Sequence, residues 1–281
     1  MKINKYIVKD FFEMLASHAI LITVSITCLF PLVWMFSSSL KTQQTIFKNM
    51  NLWPKEVHWD NYINAWTRGG FGTYFLNSVF YTVTVVFGLI IVASLAAYAF
   101  SRLEFRGKSF AYSAFLAAMM IPIPGAFVAL YILLVKLGLV NTRLGYILPQ
   151  INIGLSLAIY ILKTFFDEIP KEIEDSAAVD GCSPLGVWWH IALPLAKPAI
   201  AVIAIFNALA VWNEYVLAMI ILQDKAKMPL QRGLMIFQGA HFTEYSLLMA
   251  GITITVIPIV VIYLFMQRYI IQGITAGAVK G

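Results

Sequence analysis

Three groups of side chains in this sequence have the types and spacing to do chemistry. Gly107-Lys108-Ser109, inside FRGKSF, has the residues of a phosphate cradle, in which backbone N–H groups and a lysine hold an anion. The full cradle needs a glycine at 102, where Arg102 stands, and a strand before it, so the run reads as a basic turn. The second group is acidic. Between Asp167 and Gly181, six carboxylates (Asp167, Glu168, Glu172, Glu174, Asp175 and Asp180) stand against one cation, Lys171, for a local charge of −5. The third group, Asn207, Asn213 and Glu214, lies in an otherwise charge-free run from Pro198 to Gln223. His18, His58, His190 and His241 are scattered without zinc-ligand spacing, and no Ser/His/Asp or Cys/His arrangement stands out. No catalytic residue, no metal and no cofactor bound by the chain itself is expected. Cys28 and Cys182 fall in different environments, so no disulfide framework follows.

Hydropathy sets the elements that must position these groups. Of 281 residues, 60% are hydrophobic and 12% charged, whereas ordinary soluble domains carry about 25% charged residues. Mean hydropathy is +0.79. The charges cluster, leaving charge-free windows at 14–40, 69–101, 109–135, 144–162 and 245–267, with a sixth at 198–223 broken only by Glu214. Each has about the 20 residues that cross a bilayer core as a helix, or more. None alternates apolar with polar residues as a barrel strand would. The expectation is an all-α polytopic membrane protein with six transmembrane helices, near 14–36, 75–100, 110–135, 144–166, 198–222 and 245–266. Residues 1–74 would hold an N-terminal segment, an anchor helix and a first outer loop. Residues 75–266 would form a five-helix core including a cytoplasmic loop, 167–197, and 267–281 a cytoplasmic tail. The first window could be a signal peptide after Lys2, Lys5 and Lys9. However, 27 uncharged residues run on from Met14 without a small-residue cleavage site, so a retained anchor is expected.

Basic residues near short loops set orientation. Lys2, Lys5 and Lys9, with Arg102, Arg106 and Lys108 in the second connection, place both termini in the cytoplasm. The formal +6 is thus an orientation signal; the basic residues never collect on one stripe, which excludes a nucleic-acid footprint. Trp53, Trp59 and Trp66 suit a membrane interface. Pro122 and Pro124 kink the third span, either for packing or to line a pathway.

The acidic group belongs to an insert with its own punctuation. Pro170 suits a helix start and Gly181 the left-handed position past its end. Ser183-Pro184 restarts a helix that runs through VWWHIALP and stops near Pro194, making an L of two short helices. A helix lying on anionic lipid would be basic, so the −5 stretch does not favour the membrane surface. Ser176, Ala177 and Ala178 allow close approach of a partner, and the carboxylates suit a basic protein groove; a solvated loop is the alternative. The aromatics of the second helix can pack on the span ends.

At these residues the chain resembles a known family. Asp175, Ser176 and Ala177, three residues, Gly181, nine residues, then Ile191, Leu193 and Pro194 match the signature loop of ATP-binding-cassette importer permeases. That signature reads Glu-Ala-Ala, three residues, Gly, nine residues, Ile-x-Leu-Pro; Asp175 and Ser176 are mild departures. FLNS at 75–78, GLVNTRLGYIL at 138–148, WNEY at 212–215 and the tail GITAGAVKG resemble the carbohydrate-uptake branch, especially the smaller, six-span subunit of maltose-type importers. The resemblance implies that the loop, including Ala178 and Asp180, is a coupling helix seated in a separate cytoplasmic ATPase dimer, which uses ATP and Mg. It also implies a second, similar permease subunit, an extracytoplasmic solute-binding protein docking on the first outer loop and the 223–246 loop, and a tail lying against the ATPase. The cargo implied is a sugar or oligosaccharide.

Asn207 and Glu214 are seven residues apart and share a helix face, with Glu214 ~25 Å along the helix from Lys197. A carboxylate in a membrane faces water or partners. This face with Asn213 either lines the translocation path or bonds neighbouring helices, and the resemblance implies that the companion permease holds most of the sugar. An ion-coupled secondary transporter would want several intramembrane carboxylates or histidines, and Glu214 is the one acidic candidate. A scaffold that only recruits an ATPase, or an importer of a different solute, are the remaining alternatives.

Overall fold

The computed structural model describes residues 5–48, 51–68, 70–120, 125–239 and 242–278. Among them the chain is helical, with one isolated antiparallel bridge, Gln238 to Thr243. In order, the helices are α1 (Lys5–Ser39), α2 (Asp60–Arg68), α3 (Phe71–Arg102), α4 (Lys108–Ala118), α5 (Ala126–Lys136), α6 (Arg143–Glu168), α7 (Lys171–Val179), α8 (Pro184–Val187), α9 (Leu193–Leu195), α10 (Lys197–Trp212), α11 (Val216–Ile221), α12 (Leu230–Gly233) and α13 (Tyr245–Ala278). The chain divides into two compact units, one of residues up to 69 with 234–256, the other of 70–233 with 257 onward.

Four described stretches are long and apolar enough to cross a bilayer: 13–39, 71–102, 143–168 and 245–265. They correspond to the first, second, fourth and sixth expected spans. The expected third span is represented by two 11-residue helices, α4 and α5. Pro122 and Pro124, and so the kink expected there, lie outside the described residues. The fifth span departs from expectation, because it is not continuous over 198–222. α10 ends at Trp212, and α11 begins at Val216. Leu217 and Ala218 donate their N–H groups to the Glu214 carboxylate, at 2.6 and 3.0 Å. In a continuous helix those N–H groups would go to carbonyls four residues back. Glu214 takes them, so a new helix starts.

In the first unit, α1 has no buried residue within its apolar window. The turn after it is tied down by polar groups: Asn61 Nδ2 donates to Ser39 O (2.8 Å) and Lys41 O (3.0 Å), and buried Lys41 donates to Asn51 O (2.6 Å). Gln43 reaches Thr243 O at 2.8 Å, and Phe47 meets Tyr245 edge-on at 4.9 Å.

The second unit is built on α3, α6 and α10. Val85, Leu89, Ala93 and Ala97 recur every fourth residue on α3 and are fully buried. Leu89, Ala93 and Ala97 share one core with Ala158, Ile159, Leu162 and Phe166 of α6 and Ile203 of α10. Lipid supplies no hydrophobic drive between helices, so close packing must hold them, and small residues permit it. Gly154 marks the tightest approach: a Cβ there would stand 2.2 Å from Asn207 Oδ1 and 3.0 Å from Leu89 Cδ2.

Candidate functional site

The insert after α6 folds as its punctuation requires. Gly181 sits at φ +85°, the left-handed corner that ends α7. Its N–H reaches Ala178 O, and the Cys182 N–H reaches Ala177 O, both at 3.0 Å, closing the orphan carbonyls of the last turn. Ser183 then caps α8, its hydroxyl accepting from Gly186 N at 3.2 Å, with Pro184 in the first turn. The helix widens into a π-turn over Trp188–Ala192, one turn ahead of Pro194, whose ring would clash in a regular helix. It ends at Leu195, one residue past the expected stop, and turns by 76° into α10.

The two arms are rooted differently. Val187, Trp188, Ala192 and Ala196 are buried in the same apolar core as α3, α6 and α10, with Ile191 and Leu193 half-buried against it. Of the aromatics expected on the span ends, Trp188 is buried and Trp189 is 58% exposed. Among the described residues of α7, Glu174 alone is buried. Its Oε1 accepts from Arg102 Nε at 2.8 Å, and Tyr98 donates to Oε2 at 3.3 Å. Arg102 also donates to Ile169 O (2.8 Å) and Ser101 Oγ (3.3 Å), while Ser101 donates to Asp167 (2.6 Å). Asp167 pairs with Lys163 at 2.6 Å. Asp167 and Glu174 are therefore engaged within the chain, which corrects the reading of all six carboxylates as a partner-facing charge.

The expected coupling residues separate accordingly. Asp175, Ser176, Ala178, Asp180, Gly181 and Pro194 are exposed, whereas Ala177, Ile191 and Leu193 pack inward. The outward surface gains apolar groups that the motif did not point to, among them Val179, 87% exposed at the corner, Leu185, 66% exposed, and Trp189. Apolar groups on an acidic projection are the one signal that could have found them. The surface can take a partner offering both cations and an apolar pocket.

Asn207, Asn213 and Glu214 are not brought together as one site. Asn207 donates to Ile203 O at 2.9 Å and lies against Gly154 of α6. Glu214 accepts from Tyr146 of α6 at 3.1 Å, besides its two backbone donors. Both thus face α6, although the helix breaks between them. Asn213 is exposed, donating to Leu209 O and accepting from Gln231 at 3.3 Å.

Near the Phe71 end of α3, a second polar cluster holds the 223–230 segment. Asn77 Nδ2 donates to Ala226 O (2.8 Å) and Met228 O (3.0 Å), Tyr81 donates to Lys227 O (2.7 Å), and the Leu230 N–H reaches Ser78 Oγ (2.8 Å). Asn141, left-handed at φ +57°, accepts from Gln223 N and Asp224 N at 3.0 and 2.9 Å. The Ala226 N–H, with the Lys227 ammonium beside it, holds the Asp224 carboxyl below its usual range. FLNS and GLVNT, met in the sequence as motifs, are here the residues of this clamp.

A family model described as "Binding-protein-dependent transport system inner membrane component" matches residues 89–276. The diacetylchitobiose uptake system permease protein NgcG of Streptomyces coelicolor is 32% identical, over 94% of this chain and 88% of that one. The trehalose/maltose transport system permease protein MalG of Thermococcus litoralis is 33% identical, over 92% of this chain and 94% of that one. A crystal structure of a bacterial ABC transporter that imports the acidic polysaccharide alginate is similar at a TM-score of 0.82 and 25% identity, covering 93% of this chain and 97% of that one. With its long apolar helices, the chain is a multi-pass membrane protein of a transport system, a transport subunit and not a catalytic one. It belongs to the family of binding-protein-dependent transport system inner membrane components.

Proposed function

We propose that this chain is the permease subunit of an ATP-driven importer that moves a sugar or oligosaccharide by alternating access, with its 170–194 insert seated on a separate cytoplasmic ATPase dimer. The observation that carries this reading is the two-sided build of the insert. One side is continuous with the bundle core, and the other presents Asp175, Ala178, Val179 and Asp180 outward. A projection built this way transmits displacement from a partner to the spans. The ATPase uses the ATP and Mg; this chain contributes neither. A second, similar permease completes the path, and both termini face the cytoplasm. A solute-binding protein docks on the outer side of the membrane, on the first outer loop and the 223–246 loop, where Gln223, Asp224 and Lys225 are exposed. The cargoes named for the relatives, diacetylchitobiose, trehalose, maltose and alginate, are all carbohydrates, which supports a carbohydrate here. Of the polar residues in the fifth span, Asn213 is the one with an exposed side chain, so it is the candidate to meet solute.

The test uses Val179→Cys in a chain whose Cys28 and Cys182 are replaced by serine. Cross-linking from that position in native membranes should capture the ATPase, and an impermeant thiol reagent should reach it only from the cytoplasmic side. Proteoliposomes holding both permeases, the ATPase and the binding protein should import sugar on ATP. Uptake by this chain alone on an ion gradient, or labelling from outside, would refute the proposal.

A further inference from the structure

We infer that Arg102 and Glu174 are positioning residues for transport, a latch that forces the first arm of the insert to move with the end of α3. This inference rests on the proposed coupling to an ATPase. The nine residues of α7 are too few for a helix to hold itself in water, so its place must come from tertiary contacts. The apolar contacts of α7 are slight: Ala177 is half-buried against the core, and Ile173 and Val179 are exposed. The buried contact is the carboxylate of Glu174, its side chain 11% exposed, against a guanidinium 10% exposed.

Arg102 stands where three elements meet. Nε binds Glu174 of α7, Nη2 binds the Ile169 carbonyl just past α6, and Nη1 binds Ser101 of its own helix. Each guanidinium nitrogen has a separate partner, and the planar fork fixes angle as well as distance. Tyr98, one turn earlier on α3, holds the second carboxylate oxygen. Apolar contact is non-directional and would let α7 roll or slide. This latch does neither, so a pull on α7 must displace α3. Asp175, at the acidic position of the signature, is exposed and free to face outward, whereas its neighbour Glu174 faces the bundle.

The experiment is done on the full complex in proteoliposomes, with the cognate binding protein and sugar, and reads ATP hydrolysed per sugar imported. The double variant Arg102→Met/Glu174→Leu replaces a buried pair with apolar groups, an exchange that commonly leaves folding intact. It should assemble and hydrolyse ATP while the ratio rises by about tenfold, within the usual range of coupling between sites. Arg102→Lys keeps the charge and loses the fork, and its ratio should fall between wild type and the double variant. Should the double variant fail to assemble, Arg102→Lys decides alone. A wild-type ratio in whichever variants assemble overturns the latch. If wild type itself shows no ATP-driven uptake, the proposed function fails, and that outcome is distinct from failure of the latch.

Discussion

The two ends of α3 hold their neighbours by different chemistry. At the Arg102 end, a charged side chain grips a charged side chain in addition to the Ile169 carbonyl. At the Phe71 end, Asn77 and Tyr81 grip backbone carbonyls of Ala226, Lys227 and Met228, and Ser78 takes the Leu230 N–H. A side-chain pair constrains both partners: neither Arg102 nor Glu174 can change alone without leaving the other buried and unpaired. A clamp that reads backbone constrains only the residues of the clamp. The side chains of Gln223, Lys225 and Ala226 can then vary to suit a docking partner, while Asp224 and Lys227 are engaged with Ala226 N and Asn141 O and help the segment keep its place. The insert end trades that freedom for a defined angle between α7 and the bundle.

The comparison breaks most readily at the ion pair. Glu174→Leu alone leaves the Arg102 guanidinium buried without its counter-charge and should destabilise by ~3–5 kcal/mol. Adding Arg102→Met should restore most of that loss. A double-mutant cycle on unfolding in detergent measures the difference; additive effects would mean that the two side chains do not interact. At the other end, Asn77→Ala strands the buried Met228 carbonyl and frees that of Ala226, and should cost about 2 kcal/mol, read as faster protease nicking in 223–230. Lys225→Ala, in the clamped segment but outside the clamp, should fall within about 0.5 kcal/mol of wild type. If Lys225→Ala matched Asn77→Ala, the backbone-reading account of that end would be wrong.

Much of this was legible in the sequence, and the part that was not has a physical reason. Long apolar runs announced four of the spans because a lipid-crossing helix must be apolar over its whole length. Gly181, Ser183 and Pro184 announced the corner because cap chemistry is local. Burial of Glu174 was not legible. Its partner is 72 residues away in sequence, and six acidic residues in one stretch look alike until one of them meets Arg102. The break after Trp212 was hidden for a related reason. No glycine or proline marks the break, and it coincides with one carboxylate turning back onto the N–H groups of Leu217 and Ala218. Asn207 and Glu214 still face one neighbour, α6, so the seven-residue spacing was informative about direction even where the helix failed.

The smallest effects concern a left-handed residue in the segment held at each end, Gly181 at one and Asn141 at the other. Gly181 has φ +85°, and a Cβ there would have open space around it, so Gly181→Ala should cost only backbone strain, about 1 kcal/mol. Gly181→Asn should cost less, since asparagine tolerates that conformation. Asn141 has φ +57° and in addition accepts from Gln223 N and Asp224 N. Asn141→Gly keeps the conformation and loses only those bonds, which are exposed to water, so about 1 kcal/mol or less is expected. Asn141→Ala loses the bonds and adds the strain, and its cost should approach the sum of the Asn141→Gly and Gly181→Ala values. Unfolding of the four variants side by side measures this. An Asn141→Ala cost no greater than that of Asn141→Gly would mean that strain plays no part at 141, and that the two left-handed corners are not the same device with and without a reading side chain.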